Sequence, residues 1–363
     1  MLVTHRRLGS GDEAPREGHR TVQVHLTRRC NLACSHCYSD SGPRQSEALA
    51  LHPLVDFLRR ARAAGYERLS LSGGEPFLYR GLNELIEEAT LQGWTLSAVT
   101  NGTRLGPPTR PDTVQRFALL GVSVDGSPER HDAFRRRLGA FEVTRRGLAT
   151  LRDLGMPFAI VHTLRRSSFE ELEWLLHFAI DEGAAALRLH PLEQVGQGQH
   201  LDAEALSPLD VSRAYLWALA ADSCRLRVEV DLVNSERLRR DPTTVWPAAR
   251  AAAATTMAPS FTQLVDTLVV EPDGRVVPFT YGIDPAFDLG RYDDAETLFD
   301  DPWRWDDLVR PLAERALREA AERTAPFFNW YEHLVEVAKR NGREVAQPLV
   351  FVDQPTVSVF EPR

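Results

Sequence analysis

Thiols are scarce in this 363-residue chain. Four cysteines are too few for the disulfide framework that staples small secreted scaffolds. Long apolar runs are absent too, so no segment is read as spanning a bilayer, and Met1–Arg20 lacks the apolar core of a signal peptide. Positive charge is not in excess: 43 Lys and Arg stand against 51 Asp and Glu, a formal charge of −8 that argues against a nucleic-acid partner. The basic run Arg135–Arg137 reads as a solvated helix face or a ligand clamp. No short-period repeat is present, and the low-complexity tract is confined to Ala251–Ala254. These absences point to a protein of the reducing cytoplasm. Its 43% hydrophobic and 26% charged content suits one large domain or two ordinary ones.

What is present is concentrated. Three of the four cysteines fall in Cys30-Asn31-Leu32-Ala33-Cys34-Ser35-His36-Cys37-Tyr38, directly after an expected strand at Thr21–Leu26. Three thiolates on one loop can hold a soft metal centre. An iron–sulfur cube held this way keeps one iron open for a small molecule. A structural zinc site would need a fourth ligand, which His36 or His25 could supply, and a disulfide would leave an odd thiol. Spacing by itself leaves the three readings open.

Beyond residues 1–20, read as a flexible leader, short β-rich runs alternate with helical ones. Strands are expected at Thr21–Leu26, Arg68–Ser72, Thr95–Thr100, Gly121–Val124, Phe158–Thr163 and Ala186–Leu189. Helices are expected near Pro53–Ala64, Leu82–Gln92, Pro111–Leu119, Phe141–Leu154 and Phe169–Glu182. Six βα units imply an α/β fold with a parallel sheet, closed or partly closed as a (β/α)6 TIM-like barrel, with its site at the carboxyl ends of the strands. The informative residues fall at those ends: the cysteine loop, Ser72-Gly73-Gly74-Glu75-Pro76, Thr100-Asn101-Gly102, Ser123 with Asp125, His162 with Thr163, and His190. Gly73 and Gly74 let backbone approach a ligand closely, and Glu75 offers a carboxylate to a cationic amine. A tight strand-to-helix turn explains the pair equally well.

Taken together and in order, the cysteine triad followed by Tyr38, Gly73-Gly74-Glu75-Pro76, Thr100-Asn101-Gly102 and Ser123-Val124-Asp125-Gly126 resemble the radical S-adenosylmethionine enzymes over roughly residues 20–200. The resemblance implies one 4Fe–4S cluster on Cys30, Cys34 and Cys37, with S-adenosyl-L-methionine chelated at the open iron. It implies Tyr38 at the adenine, and Gly73, Gly74 and Glu75 at the methionyl amine. Ser123 and Asp125 would meet the ribose or methionyl group, and Arg135 the carboxylate; Thr100, Asn101, Thr163 and Leu192 are further candidates. The implied reaction is reductive cleavage to a 5′-deoxyadenosyl radical that takes hydrogen from substrate. An external one-electron donor such as flavodoxin or ferredoxin would feed it.

After residue 205 the pattern changes. Helices are expected at Pro208–Ala221, Ser235–Arg240, Trp303–Glu322 and Asn329–Arg340, and strands at Arg225–Val230 and along Pro348–Phe360. A hairpin, Leu264–Glu271 and Arg275–Phe279, turns at Pro272-Asp273-Gly274. This region resembles the SPASM and twitch extensions, which carry extra clusters, but Phe279 stands where a cysteine would follow the hairpin. Cys224 alone cannot build a cluster and reads as a core thiol. The expected domains are a core over 21–205 and a SPASM-like α+β extension over 206–363 without auxiliary iron. Pro326–Tyr331 is an aromatic-rich core plug or substrate surface. The expected substrate is a ribosomally made peptide. The alternatives are a sugar, nucleoside or tetrapyrrole, or a scaffold that binds a cluster without catalysis.

Overall fold

The computed structural model describes residues 20–107, 109–222, 225–249 and 260–345. Six strands alternate with helices through the first two hundred residues. They are β1 (Thr21–His25), β2 (Arg68–Ser72), β3 (Thr95–Thr100), β4 (Leu119–Ser123), β5 (Phe158–Leu164) and β6 (Ala186–Pro191). The helices between them are α1 (Leu51–Ala63), α2 (Leu82–Leu91), α3 (Pro111–Val114), α4 (Pro128–Arg135), α5 (Ala140–Asp153) and α6 (Leu172–Asp181). Neighbouring strands from β1 to β6 pair in parallel. All five residues of β1 are buried, as expected of a parallel strand covered on both faces. Helix α1 lays Leu54, Phe57, Leu58 and Ala61 on the sheet at the three-and-four spacing seen in the sequence. Each fully buried Leu or Phe of this kind contributes about 1.5–3 kcal/mol.

Two local expectations shift. The helix expected over Pro111–Leu119 stops at Val114, and β4 begins at Leu119. Sheet pairing wins there: the Ala118 amide already donates to Leu96 O at 2.8 Å. Helix α4 was not expected, although Pro128 sits at its first turn where proline is favoured.

The later residues extend the same sheet at both edges. Helix α7 (Pro208–Ala221) leads to β7 (Arg227–Val230), which pairs in parallel with β6. Further on come β8 (Val233–Asn234), α8 (Ser235–Arg240), α9 (Phe261–Leu264), β9 (Thr267–Val270) and β10 (Arg275–Pro278). The rest comprises β11 (Gly290–Arg291), α10 (Ala295–Leu298), α11 (Pro302–Ala321), β12 (Phe327–Phe328) and α12 (Trp330–Val345). Strand β9 pairs in parallel with β1, and β10 folds back on β9 through the expected turn, with Gly274 at φ +91°. The order is β11-β10-β9-β1-β2-β3-β4-β5-β6-β7 in one ten-stranded sheet. No pairing among the described residues closes it. The Tyr66 hydroxyl donates to Val265 O at 2.7 Å, and the Ala50 amide donates to the Tyr292 hydroxyl at 2.8 Å, fastening the later segment to α1 and its flanks.

Cys224, Ala251–Ala254, the first 19 residues and the expected strands of Pro348–Phe360 lie outside the described residues. Among the described residues no helix is long and apolar enough to cross a membrane.

Candidate active site

The loop after β1 carries Cys30, Cys34 and Cys37 to one cavity of about 170 Å³ at the carboxyl ends of the strands, and all three line it as free thiols. Each sulfur is met by hydrogen-bond donors. Cys30 Sγ accepts from Leu32 N at 3.4 Å and Asn101 Nδ2 at 3.7 Å, and Cys34 Sγ accepts from Arg135 Nη1 at 3.7 Å. Cys37 Sγ accepts from Ser41 N at 3.3 Å. Burial pushes the Cys30 thiol up to about 12 and raises Cys34 against the pull of Arg135. Metal capture by these groups therefore releases protons.

A donor set of three separate sulfurs, each with N–H partners, fits a thiolate-ligated cluster, whose sulfurs favour such bonds. Among the described residues no three His, Cys, Asp or Glu side chains gather on one ion position. The two histidines considered as a fourth zinc ligand join no such group among the described residues, although the Nδ1 of each is buried without a hydrogen-bond partner. His25 is held by Gln23 and stacked on Tyr281, and His36 stacks on Phe134 at 4.3 Å.

The glycine turn after β2 is bolted to the start of the cysteine loop. The Gly74 amide donates to Thr27 O at 2.6 Å and the Glu75 amide to Arg29 O at 3.0 Å. A Cβ on Gly74 would meet Arg29 O at 2.4 Å, and one on Gly73, at φ +117°, would meet Thr27 O at 2.6 Å. The bare backbone is thus needed for the turn, while both glycines also line the cavity. Glu75 is fully buried and not part of the lining. Its carboxylate accepts from Thr100 Oγ1 at 2.8 Å, Asn101 N at 2.9 Å and Phe77 N at 3.1 Å. Burial raises its pKa against those donors.

Asp125 is likewise fully buried, behind the cavity wall. It accepts from Arg135 Nε at 2.6 Å and Thr163 N at 3.2 Å, and Arg135 with nearby histidines holds it well below the usual carboxylate range despite desolvation. Arg135 thus bridges Asp125 to Cys34. Tyr38, Asn101, Ser123, Arg135, Thr100 and Thr163 line the cavity, and Leu192 does not. The Tyr38 hydroxyl bonds Ser72 Oγ at 3.1 Å, and its ring meets His25 and Tyr281 edge-on.

On the opposite wall the sequence points to His190 and, within Pro326–Tyr331, to Tyr331, but not to the residues that join them. Arg188 and His190 on β6, Glu193 just beyond it, Asp231 after β7, Thr280 and Tyr281 after β10, and Tyr331 on α12 all line the same cavity. Asp231 accepts from Arg188 through both oxygens and from His190 Nδ1 at 2.8 Å, while His190 Nε2 stands 3.2 Å from Glu193 Oε1. Glu193 and Asp231 raise His190 to about 9 against burial. A signal was available: Arg188 and His190 alternate with Leu187 and Leu189 along the strand, two polar side chains on one face of it. Phe279, in the place where an auxiliary cysteine would stand, is buried and left-handed at φ +67°.

A parallel α/β sheet with a three-thiol loop and a glycine turn meeting over its strand ends defines the class of site. In comparison with known proteins, residues 24–179 match the Radical SAM superfamily. It is 34% identical over 204 residues to an AdoMet-dependent heme synthase of Methanosarcina barkeri, covering 54% of this chain and 57% of that one. It is 27% identical over 193 residues to the sporulation killing factor maturation protein SkfB of Bacillus subtilis, covering 52% and 45%. The chain thus spans about half the length of these curated relatives. In fold it is similar to anSMEcpe with bound AdoMet and a peptide, at TM-score 0.55 and 17% identity over 90% of this chain and 98% of that one. It is also similar to Streptococcus suis SuiB bound to its precursor peptide SuiA, at TM-score 0.58 and 14% identity over 78% and 65%.

Proposed function

We propose that this protein is a radical S-adenosylmethionine enzyme that modifies a ribosomally synthesised peptide. The observation that carries the reading is the convergence of Cys30, Cys34 and Cys37 with Gly73 and Gly74 on one cavity. Cys30, Cys34 and Cys37 would hold one 4Fe–4S cluster and the glycine turn would receive the methionyl amine of S-adenosyl-L-methionine. When bound, these groups supply one-electron cleavage of the sulfonium and hydrogen abstraction from substrate. Tyr38, Asn101, Ser123 and Arg135 line the space for the nucleoside and methionyl parts. Glu75 and Asp125, buried and fully bonded, act as positioning groups: Glu75 fixes the Thr100–Asn101 turn and Asp125 aims Arg135 toward Cys34. Residues 206–363 would form a SPASM-like extension whose auxiliary iron is replaced by packing at Phe279. The electron would come from a flavodoxin or ferredoxin in the cytoplasm.

The peptide reading is supported by SkfB, named a maturation protein, and by two fold neighbours recorded with peptides. A tetrapyrrole substrate is the second reading, because the heme synthase aligns at higher identity. Anaerobically reconstituted protein with dithionite and S-adenosylmethionine is expected to hold about four irons and release 5′-deoxyadenosine. Zinc or no metal at the loop, with no cleavage, defeats the proposal. About eight irons would defeat the single-cluster part alone.

A further inference from the structure

Most polar groups around the cavity are already engaged with one another. Arg188 is clamped on Asp231, His190 uses both ring nitrogens on Asp231 and Glu193, Tyr38 is bonded to Ser72, and Arg135 to Asp125 and Cys34. Three groups take no hydrogen bond from any described residue: Glu193 Oε2 just beyond β6, the hydroxyl of Tyr331 on α12, and that of Tyr281 after β10, whose ring stacks on His25 of β1. All three residues line the cavity. None of the three is among the sealed, partnerless side-chain atoms of the described residues, so each is open to the cavity and to a ligand within it.

Resting on the reading of this cavity as shared by cofactor and substrate, we propose that it binds a cationic group of the substrate, a primary ammonium or guanidinium, on Glu193 near Tyr331, with Tyr281 lining the same cavity. A carboxylate oxygen accepts from such a cation, and tyrosine offers both a hydroxyl acceptor and an electron-rich ring face. The electrostatics agree. His190 keeps its proton to about 9 although burial opposes it, and Glu332 is raised to about 7 by burial together with Glu336 and Glu193. Both shifts owe part of their size to Glu193, so its carboxylate is felt as an anion in this cavity. The positive charge of Arg188 does not cancel it, because Asp231 takes two of its nitrogens and Glu229 lies 4.0 Å from a third.

The site is also held at a fixed offset from the thiols. Three residues past Glu193, Gly196 packs so closely that a Cβ would meet Tyr38 O at 2.4 Å and Cys37 O at 2.5 Å. The Gln197 amide donates to Cys37 O at 2.8 Å, and its side chain to Asp40 Oδ1 at 2.8 Å. A cation docked on Glu193 therefore orients the rest of the substrate relative to the cysteine loop.

The test uses the full-length chain, metal-free, titrated with the N-acetyl methylamides of lysine, norleucine and glutamate. Ring signals of Tyr281 and Tyr331, assigned through their Phe variants, are followed by NMR. The lysine probe is expected to bind about tenfold more tightly than the other two, and Glu193→Gln to remove about tenfold of its affinity. Tyr331→Phe, which deletes one hydroxyl, lowers lysine affinity severalfold and serves if the Glu193 variant does not fold. No saturable lysine binding, equal binding of the glutamate or norleucine probe, or lysine affinity unmoved by both variants overturns the proposal. The same preparations are reconstituted and assayed for iron and 5′-deoxyadenosine. Lost lysine preference with iron and cleavage intact sinks this inference alone. Absent iron and cleavage with the preference intact sinks the cofactor reading beneath it.

Discussion

The two walls of the cavity bury their polar groups differently. On the β1–β4 side Glu75 sits among neutral donors, and His25, enclosed beneath the thiol loop, is held down to about 3 by desolvation. One charge pair, Asp125 with Arg135, threads that side. On the β6–β7 side charge faces charge, and His190 is raised to about 9. The first wall is made by backbone turns that must lie against each other. The second is made by side chains arriving from β6, β7, β10 and α12. A wall of turns tolerates little change in residue size. A wall of side chains can be retuned for another substrate without moving the sheet.

Iron gives the sharpest contrast. Cys34→Ala is expected to abolish cluster assembly, read as loss of iron and of visible absorption after anaerobic reconstitution, while far-ultraviolet dichroism is kept. His190→Gln, on the other wall, should leave iron uptake in place; iron lost with His190 would erase the division between the walls. Next in size is Gly74→Ala, whose added methyl has backbone within 2.4 Å that cannot move aside. It should cost about 3 kcal/mol in urea unfolding, the upper part of the range for overpacking. Glu75→Gln should cost about 1–3 kcal/mol by disturbing buried bonds to Thr100 and Asn101. Iron retained with weaker cofactor binding would mark it as positioning, and a fully stable variant would refute the lock.

The smallest effect is in pH. The folded pKa of His190, about 9, lies above the ordinary histidine value near 6.5. The stability its pairing contributes is complete below about pH 6.5 and is lost as pH rises through about 9. His25, at about 3, has the opposite sign, so stability falls as pH drops from about 6.5 toward 3. Melting curves should show the gap between wild type and His190→Gln closing above pH 9. A gap independent of pH would mean that the imidazole is not paired as an ion.

The β1–β4 wall was legible in the sequence because its parts are contiguous. Cys30 to Tyr38 and Gly73-Gly74-Glu75 are short strings, and strands β2 and β3 fall on their expected bounds. What was legible in Glu75 was its presence, not its direction: a carboxylate after two glycines reads as a ligand group, yet the fold turns it inward onto β3. The other wall was legible only in part, because Glu193, Asp231, Tyr281 and Tyr331 come together only once β7 and the β9–β10 hairpin have been added to the two edges of the sheet. No local pattern announces that β9 pairs with β1. Helix α4 was missed because only His131 and Arg135 of its eight residues are buried, which leaves no apolar stripe to detect.

The pairing of β1 with β9 has a consequence for synthesis. Thr21 is in register with Thr267, so one edge of the first strand stays open until that distant segment has left the ribosome. An unpaired, fully buried-type strand is an invitation to other chains. Through most of translation, then, that strand presents one unpaired backbone edge to its surroundings.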